Sequence, residues 1–147
     1  MNVRGVADVR PRRPAALPRR VFTLEHANRT LPLIRRIVGD IVDQHKRVSA
    51  LEARCDTSDP SLHGAKLDSL RRQYLGEIDK LRKLADELTE IGVELKDWRR
   101  GLVDFPTVRD GLDAYFCWRL GEERVEFWHD LEAGFPGRLP IDEPSNP

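Results

Sequence analysis

Five side chains in the C-terminal half of the chain have the chemistry of metal ligands. They are Glu94, Asp104, Cys117, Glu122 and His129. Carboxylate, thiolate and imidazole donors together suit zinc, manganese or iron. Their spacing matches no familiar ligand motif. The sequence therefore supports a hypothesis: some of them meet at one edge of a sheet and bind a divalent metal ion. The alternative is a structural His129 among solvated or capping carboxylates.

Residues 126–129 have the form ExxH, the spacing with which a helix presents two ligands to a di-iron centre. We predict a strand here, and residues three apart on a strand point to opposite faces. Glu126 and His129 are therefore not expected to bind one ion together.

Cys117 is also a candidate nucleophile, because the nearby Arg119 could stabilise a thiolate. His129 lies on the next predicted strand and could act as its base. In the register that we predict, however, Cys117 and His129 lie on opposite faces, which argues against a Cys–His pair. No GxSxG motif offers a serine nucleophile instead, and the favoured interpretation of Cys117 is a small packing residue.

An anion site is a third hypothesis. The run Gly-Phe-Pro-Gly-Arg at residues 134–138 could offer backbone N–H groups and the Arg138 guanidinium to an anion, with Arg119 as a second cation. Neither GxGxxG nor GxxxxGK[ST] occurs, so nucleotide binding is not supported. The alternative is a turn in which Arg138 pairs with Asp130 or Glu132.

Two long amphipathic segments must support these residues. The first is a predicted helix over residues 24–55, with Thr23 as its N-cap and a kink or restart at Pro32. Its apolar residues recur at alternating steps of three and four, as in a coiled coil with a widened seam.

The second predicted helix covers residues 60–91. Asp59 is its N-cap, Pro60 its first helical residue, and Gly92 ends it. Two helices of equal length joined by four residues predict an antiparallel hairpin.

Such a hairpin has apolar residues outside its own seam, namely Val38, Val42 and Leu75. A homodimer that forms a four-helix bundle would cover them. The alternative is that the C-terminal sheet folds back over this flank. We favour self-association through the helices.

After Gly92 the apolar period changes from 3.6 to 2, which predicts short strands over residues 93–96, 102–105, 112–120 and 123–129. A two-residue turn at Gly121-Glu122 would join the last two strands. That register pairs Phe116 with Phe127, Ala114 with His129 and Cys117 with Glu126, but it also sets Arg119 opposite Arg124, which is unfavourable. A three-residue loop would separate the arginines and split the apolar face.

The predicted fold class is therefore α+β, a long antiparallel helical hairpin followed by an antiparallel β-sheet of three to five strands packed near the free ends of the helices. Residues 22–141 form one domain, with the hairpin over 23–92 and the sheet module over 93–133. Residues 1–21 are predicted to be a disordered basic extension and residues 142–147 a frayed end.

Charge and composition restrict the partners. Residues 1–20 contain six arginines and one aspartate, a charge of +5, and since the whole chain has a net charge of 0 the remainder carries −5. Nucleic acid is therefore an expected partner only of the basic extension. No apolar run is long enough for a membrane helix or a signal peptide. The two cysteines form no CxxC motif, which favours reduced thiols in a cytoplasmic protein.

Several runs together resemble one bacterial family, catalogued as domain of unknown function 2203. They are FTLEHANRTLP at 22–32, GVELKD at 92–97, GLVDFP at 101–106, CWRLGE at 117–122, WH at 128–129 and GFPGR at 134–138. The resemblance covers about residues 22–141. It implies the domain boundaries and marks the sheet as the characteristic part, without implying a reaction.

From the sequence we expect a non-enzymatic, homodimeric interaction or scaffold module. The second hypothesis is a metal-binding protein or metal-dependent enzyme with its site on the C-terminal sheet. Elemental analysis separates the two.

Overall fold

The computed structural model describes residues 20–55 and 60–141 of the chain, which form two packed helices followed by a five-stranded antiparallel sheet. The elements are α1 (Leu24–Cys55), α2 (Gly64–Ile91), β1 (Glu94–Asp97), β2 (Leu102–Arg109), β3 (Leu112–Arg119), β4 (Phe127–Asp130) and β5 (Leu139–Pro140). The predicted α+β class is confirmed. The predictions for residues 1–19 and 142–147 lie outside the described residues.

Helix α1 has the predicted bounds. The Thr23 hydroxyl accepts a hydrogen bond from the His26 N–H at 3.0 Å, which satisfies one of the free donors of the first turn. The restart predicted at Pro32 is not found, since the helix runs unbroken through it. Leu31 and Ile34, on either side of the proline, are both buried, so tertiary packing holds the helix where one backbone donor is missing.

Helix α2 starts later than predicted. It begins at Gly64, while Pro60 and Ser61 lie in a turn, so the prediction of Pro60 as the first helical residue was wrong. Gly64 has a φ of +59°, and a right-handed helix cannot continue backwards through that conformation. The predicted cap Asp59 lies outside the described residues. Gly92 ends the helix as predicted, with its N–H bonded to the Leu88 carbonyl at 3.0 Å.

Later residues of α1 contact earlier residues of α2, which confirms the antiparallel hairpin. Gln44 donates to the carbonyl of Glu77 at 2.9 Å, and further along α1 Glu52 accepts from the earlier residue Tyr74 at 3.3 Å. Apolar residues from both helices fill the rest of the seam.

The flank of α1 that carries Val38 and Val42 is covered by the same chain. Both residues are buried, and a Cβ placed on Gly101 would lie 2.8 Å from Val38 Cγ1. The turn between β1 and β2 thus packs directly on α1. The expectation that this flank needs a second copy was wrong, and the alternative, in which the sheet module folds back over it, is what the structure shows. Leu75 does remain 61% exposed.

The strands follow each other in the order β1-β2-β3-β4-β5. One face of the sheet packs on the helices through side chains that are almost fully buried, namely Val103, Phe105, Phe116 and Trp118. Strand β2 is fixed to the start of α1, because the Phe22 N–H donates to the Pro106 carbonyl at 2.7 Å. We call the other side of the sheet its outer face.

The register between β3 and β4 differs from the prediction by one residue. Tyr115 lies opposite His129 and Cys117 opposite Phe127, whereas we predicted that Ala114 would face His129 and that Glu126 would face Cys117. A one-residue shift moves every β4 side chain to the other face.

The cause is a long connection over residues 120–126 in place of the predicted two-residue turn. Asn28 of α1 binds this connection at Val125, accepting from its N–H at 2.8 Å and donating to its carbonyl at 3.3 Å. The Trp118 indole donates to the Glu122 carbonyl at 3.0 Å. Arg119 and Arg124 are therefore not a cross-strand pair. No described helix has the length and apolarity needed to cross a membrane.

Candidate metal centre

Three adjacent strands bring together three of the five predicted ligands on the outer face. Asp104 on β2 lies directly opposite Cys117 on β3, and His129 on β4 lies opposite Tyr115, two residues before Cys117. One ligand atom from each of the three side chains lies within 4.8 Å of the others. The three residues are only 4%, 1% and 3% exposed, respectively. A carboxylate, a thiol and an imidazole thus form one buried cluster.

Both ring nitrogens of His129 have a partner. Nδ1 lies 2.7 Å from the Asp130 carbonyl oxygen and Nε2 lies 3.0 Å from Asp104 Oδ1. Burial lowers the pKa of His129, but the hydrogen bonds to Asp104 and to the Asp130 carbonyl outweigh it, so its pKa lies above the ordinary 6.5. In the protonated ring both nitrogens donate. If a metal ion replaces the proton on Nε2, the Nδ1–H bond to the carbonyl still orients the ring, as is usual for a metal-binding histidine.

The Cys117 thiol is held in its neutral form. Burial and the neighbouring Asp104 carboxylate raise its pKa to about 12. The Arg138 guanidinium, whose Nη1 lies 3.8 Å from Cys117 Sγ, lowers the pKa but does not outweigh them. Cys117 and His129 lie on the same face of the sheet, contrary to the register predicted from the sequence. The cluster still does not form a nucleophile and base, because the thiol is protonated at neutral pH and both His129 nitrogens are engaged.

Glu94 and Glu122 lie outside the cluster. Glu94 accepts from the Tyr115 hydroxyl at 3.1 Å and from Lys96 at 3.0 Å. Glu122 accepts from the Arg119 N–H at 2.8 Å and forms a two-pronged ion pair with Arg138. These two carboxylates are therefore occupied by protein groups.

The two arginines predicted to bind an anion have different surroundings. Arg138 pairs with Glu122 rather than with Asp130 or Glu132, and its guanidinium lies over the ring of Phe127, 3.9 Å from the centroid. Arg119 is exposed, and its backbone N–H is the group that bonds to Glu122. The guanidinium of Arg138 is thus committed to Glu122.

Tyr115 is a neighbour of the cluster that the sequence did not single out. Its ring lies 5.4 Å from that of His129, and its hydroxyl bonds to Glu94. It therefore forms part of the wall around the imidazole. The alternation of β3 placed Tyr115 and Cys117 on one face, and only the β4 register was needed to add His129.

The profile of one family, described as an uncharacterized conserved protein, DUF2203, matches residues 20–141. No curated protein and no solved structure matches the chain. The matched range contains both helices, all five strands and every residue of the buried cluster. Since the match covers most of the chain, the protein belongs to the DUF2203 family.

Proposed function

We propose that this protein binds a transition-metal ion, zinc or ferrous iron, through Asp104, Cys117 and His129. The observation that carries the proposal is the convergence of three different ligand side chains, all buried, from three neighbouring strands. Buried ionisable side chains usually pair or bind a metal. Asp104 and His129 do pair with each other, and the buried Cys117 thiol beside them adds a third ligand atom that this pair does not require.

The donor set favours this class of ion. A thiolate and an imidazole suit zinc and iron, whereas magnesium and calcium take oxygen ligands. One carboxylate and one thiolate would balance the charge of a divalent ion in a buried place. Three protein ligands also leave a fourth tetrahedral position free, as in catalytic zinc sites.

Metal binding at this cluster has to displace protons. Without metal, Cys117 carries a thiol proton, because its pKa is raised to about 12. The raised pKa of His129 keeps its Nε2 proton toward Asp104. An ion that takes both positions therefore releases up to two protons, and its affinity falls as the pH is lowered.

The test is titration of metal-free protein with Zn²⁺ in competition with a chromophoric chelator. We expect one ion per chain, and at least a hundredfold weaker binding in Asp104→Asn, Cys117→Ala and His129→Gln. Cys55→Ser is the matched control, since Cys55 lies at the end of α1, outside the cluster. Circular dichroism of each variant checks that the fold is intact.

Less than about a tenth of an ion per wild-type chain would contradict the proposal. Equal affinity in the wild type and in a folded Cys117→Ala variant would do so as well.

We also infer a second function, a homodimeric interaction or scaffold module, from the outer surface of the hairpin. Leu75 projects from α2 with 61% of its surface exposed. Gln44 of α1 binds Glu77 of α2, which lies two residues after Leu75. A second copy would bury Leu75 against the same surface of its partner.

Light scattering of the full chain tests self-association. We expect twice the chain mass at micromolar concentration and a shift to the monomer in Leu75→Glu. Leu112→Glu is the control, because Leu112 is 72% exposed at the far end of the sheet. A monomeric wild type would exclude the dimer and leave the metal proposal unaffected.

A further inference from the structure

The buried cluster has a cover. Residues 131–141, which we call the C-terminal segment, follow β4 and end in β5, which pairs with β4 at the edge of the sheet. Within it the Arg138 guanidinium lies over two rings, at 3.9 Å from the centroid of Phe127 and 4.3 Å from that of Phe135. The Phe135 ring also lies 5.4 Å from the guanidinium of Arg100, in the turn between β1 and β2. Side chains of the segment thus contact both Phe127 of β4 and Arg100 of that turn.

Arg138 is the point at which this cover meets the cluster. Its Nη1 lies 3.8 Å from Cys117 Sγ and 3.0 Å from Glu122 Oε1, and its Nη2 pairs with the second carboxylate oxygen. Glu122 is itself fixed, because it accepts from the Arg119 N–H. The ion pair therefore ties the segment to the end of β3.

An ion needs a route to ligands that are almost fully buried. The helix-facing side of the sheet is closed by the core. An open groove of about 750 Å³ lies along Arg35 and residues 120–124, but none of the three ligands lines it. The C-terminal segment, by contrast, is held by a small set of contacts besides those of Arg138. They are the two-residue strand β5, the bond from the Ile141 N–H to the Glu126 carbonyl, the packing of Ile141 on the core, and the bonds from the Glu132 and Ala133 N–H groups to Asp130. Displacement of Phe135 and Arg138 would remove the guanidinium that lies 3.8 Å from Cys117 Sγ, without separating β2, β3 and β4.

The segment also contains a suitable pivot. Gly134 has a φ of +64° and a ψ of −169°, a conformation that other residues rarely adopt. It lies between β4 and Phe135, so rotation there would lift both Phe135 and Arg138.

We propose that the C-terminal segment is a gate over Cys117 and that the Glu122–Arg138 ion pair is its latch. The part of this inference that concerns metal exchange rests on the proposed metal function. The gate itself does not, since the thiol reports its opening without any metal.

The experiment measures alkylation of both cysteines in the metal-free full chain with N-ethylmaleimide, by mass spectrometry of peptides at successive times. Glu122→Gln and Arg138→Lys both weaken the latch, and the second retains the positive charge. Loss of a two-pronged charged pair should speed Cys117 labelling by about tenfold to a hundredfold. Cys55 serves as the internal reference and should label at an unchanged rate. Asp79→Asn is the matched control, because it removes the exposed Asp79–Lys83 ion pair on α2.

Low concentrations of urea distinguish opening of the gate from unfolding of the whole domain. A local opening exposes little surface, so the wild-type Cys117 rate should change little with urea. If that rate instead rises with the full denaturant dependence of global unfolding, the gate is overturned.

A second measurement follows transfer of Zn²⁺ from loaded protein to excess chelator, which both latch variants should accelerate by the same factor as the labelling. Faster labelling with no zinc bound by the wild type would support the gate and refute the metal function. Unchanged labelling in both variants, with zinc bound normally, would overturn the gate and leave the metal function standing.

Discussion

The two cysteines of this chain differ in what surrounds their sulfur atoms. Cys55 is half-buried at the last turn of α1, whereas Cys117 is fully buried beside the Asp104 carboxylate. Burial and the neighbouring negative charge raise the pKa of Cys117 to about 12. The residue is therefore an inert thiol without metal, and only an ion that supplies positive charge would make its thiolate favourable.

This pKa predicts a loss of stability in alkaline solution. The folded chain holds the Cys117 proton up to about pH 12, while the thiol of the unfolded chain ionises near its ordinary value of 9.0. The contribution to folding is thus fully present below pH 9 and is lost as the pH rises toward 12, by about 1.4 kcal/mol per pH unit. Urea unfolding of metal-free wild type and Cys117→Ala between pH 8 and 11 isolates this effect. Parallel stability curves for the two proteins would show that Cys117 is not shielded as described.

Glu122 gives the opposite pH dependence. Burial raises its pKa, but the hydrogen bonds and charge of Arg138 and the Arg119 N–H outweigh burial, so the pKa lies below the ordinary 4.5. Its contribution to stability is present above pH 4.5 and is lost as the pH falls through the lowered folded value. Glu122→Gln should therefore cost about 1–3 kcal/mol at pH 7, and clearly less at pH 3. A cost that is the same at both pH values would mean that the ion pair contributes no net stability.

At the scale of elements, the contact between the β1–β2 turn and α1 positions the sheet. Gly101 has a φ of +71°, and a Cβ there would lie 2.8 Å from Val38 Cγ1 and 2.9 Å from Leu120 Cβ. A side chain at this position would separate the sheet from the helix. Glycine is thus required for close approach as well as for backbone conformation.

Substitution of Gly101 should therefore destabilise the domain more than substitution of a glycine that has a positive φ but no close neighbours. Gly111 is the matched control, because it has a φ of +79° and a Cβ added there would meet nothing within 4 Å. Gly101→Ala should destabilise the domain by about 1–3 kcal/mol more than Gly111→Ala, since overpacking adds to the backbone strain that both share. Chemical denaturation of both variants measures the difference, and equal losses would refute the close packing of the turn on α1.

Local patterns predicted most of these elements. The bounds of α1, the end of α2 at Gly92 and the alternation of β3 followed from caps and periodicity, because those signals act within a few residues. The β3–β4 register was predicted wrongly, since it depends on Asn28 of α1 binding Val125, almost a hundred residues away. That register decides which face of the sheet His129 occupies. The sequence therefore identified the three residues of the cluster as candidate ligands, but it did not place them on the same face. The predicted start of α2 was wrong for a more local reason, because Gly64 has a left-handed backbone conformation.

For the molecule as a whole, the cluster exists only when three strands are paired. Asp104, Cys117 and His129 come from β2, β3 and β4. Phe22, just before α1, bonds to β2, and Asn28 of α1 bonds to the connection between β3 and β4. Unfolding separates the three side chains. An ion bound by all three would therefore stabilise the entire domain rather than one loop.

Zinc should thus raise the unfolding temperature of the whole protein. At a free concentration one hundred times the dissociation constant, binding adds about 2.7 kcal/mol to the free energy of unfolding, and for a domain of this size that corresponds to a rise of about 5–15 °C. Differential scanning calorimetry with buffered Zn²⁺ measures the shift, and excess EDTA should reverse it. Mg²⁺ at the same concentration should have no effect, because the thiolate favours zinc over this hard cation. Folded Cys117→Ala should lose the zinc shift while Cys55→Ser retains it. An equal shift in Cys117→Ala would place the zinc elsewhere on the protein and refute the site.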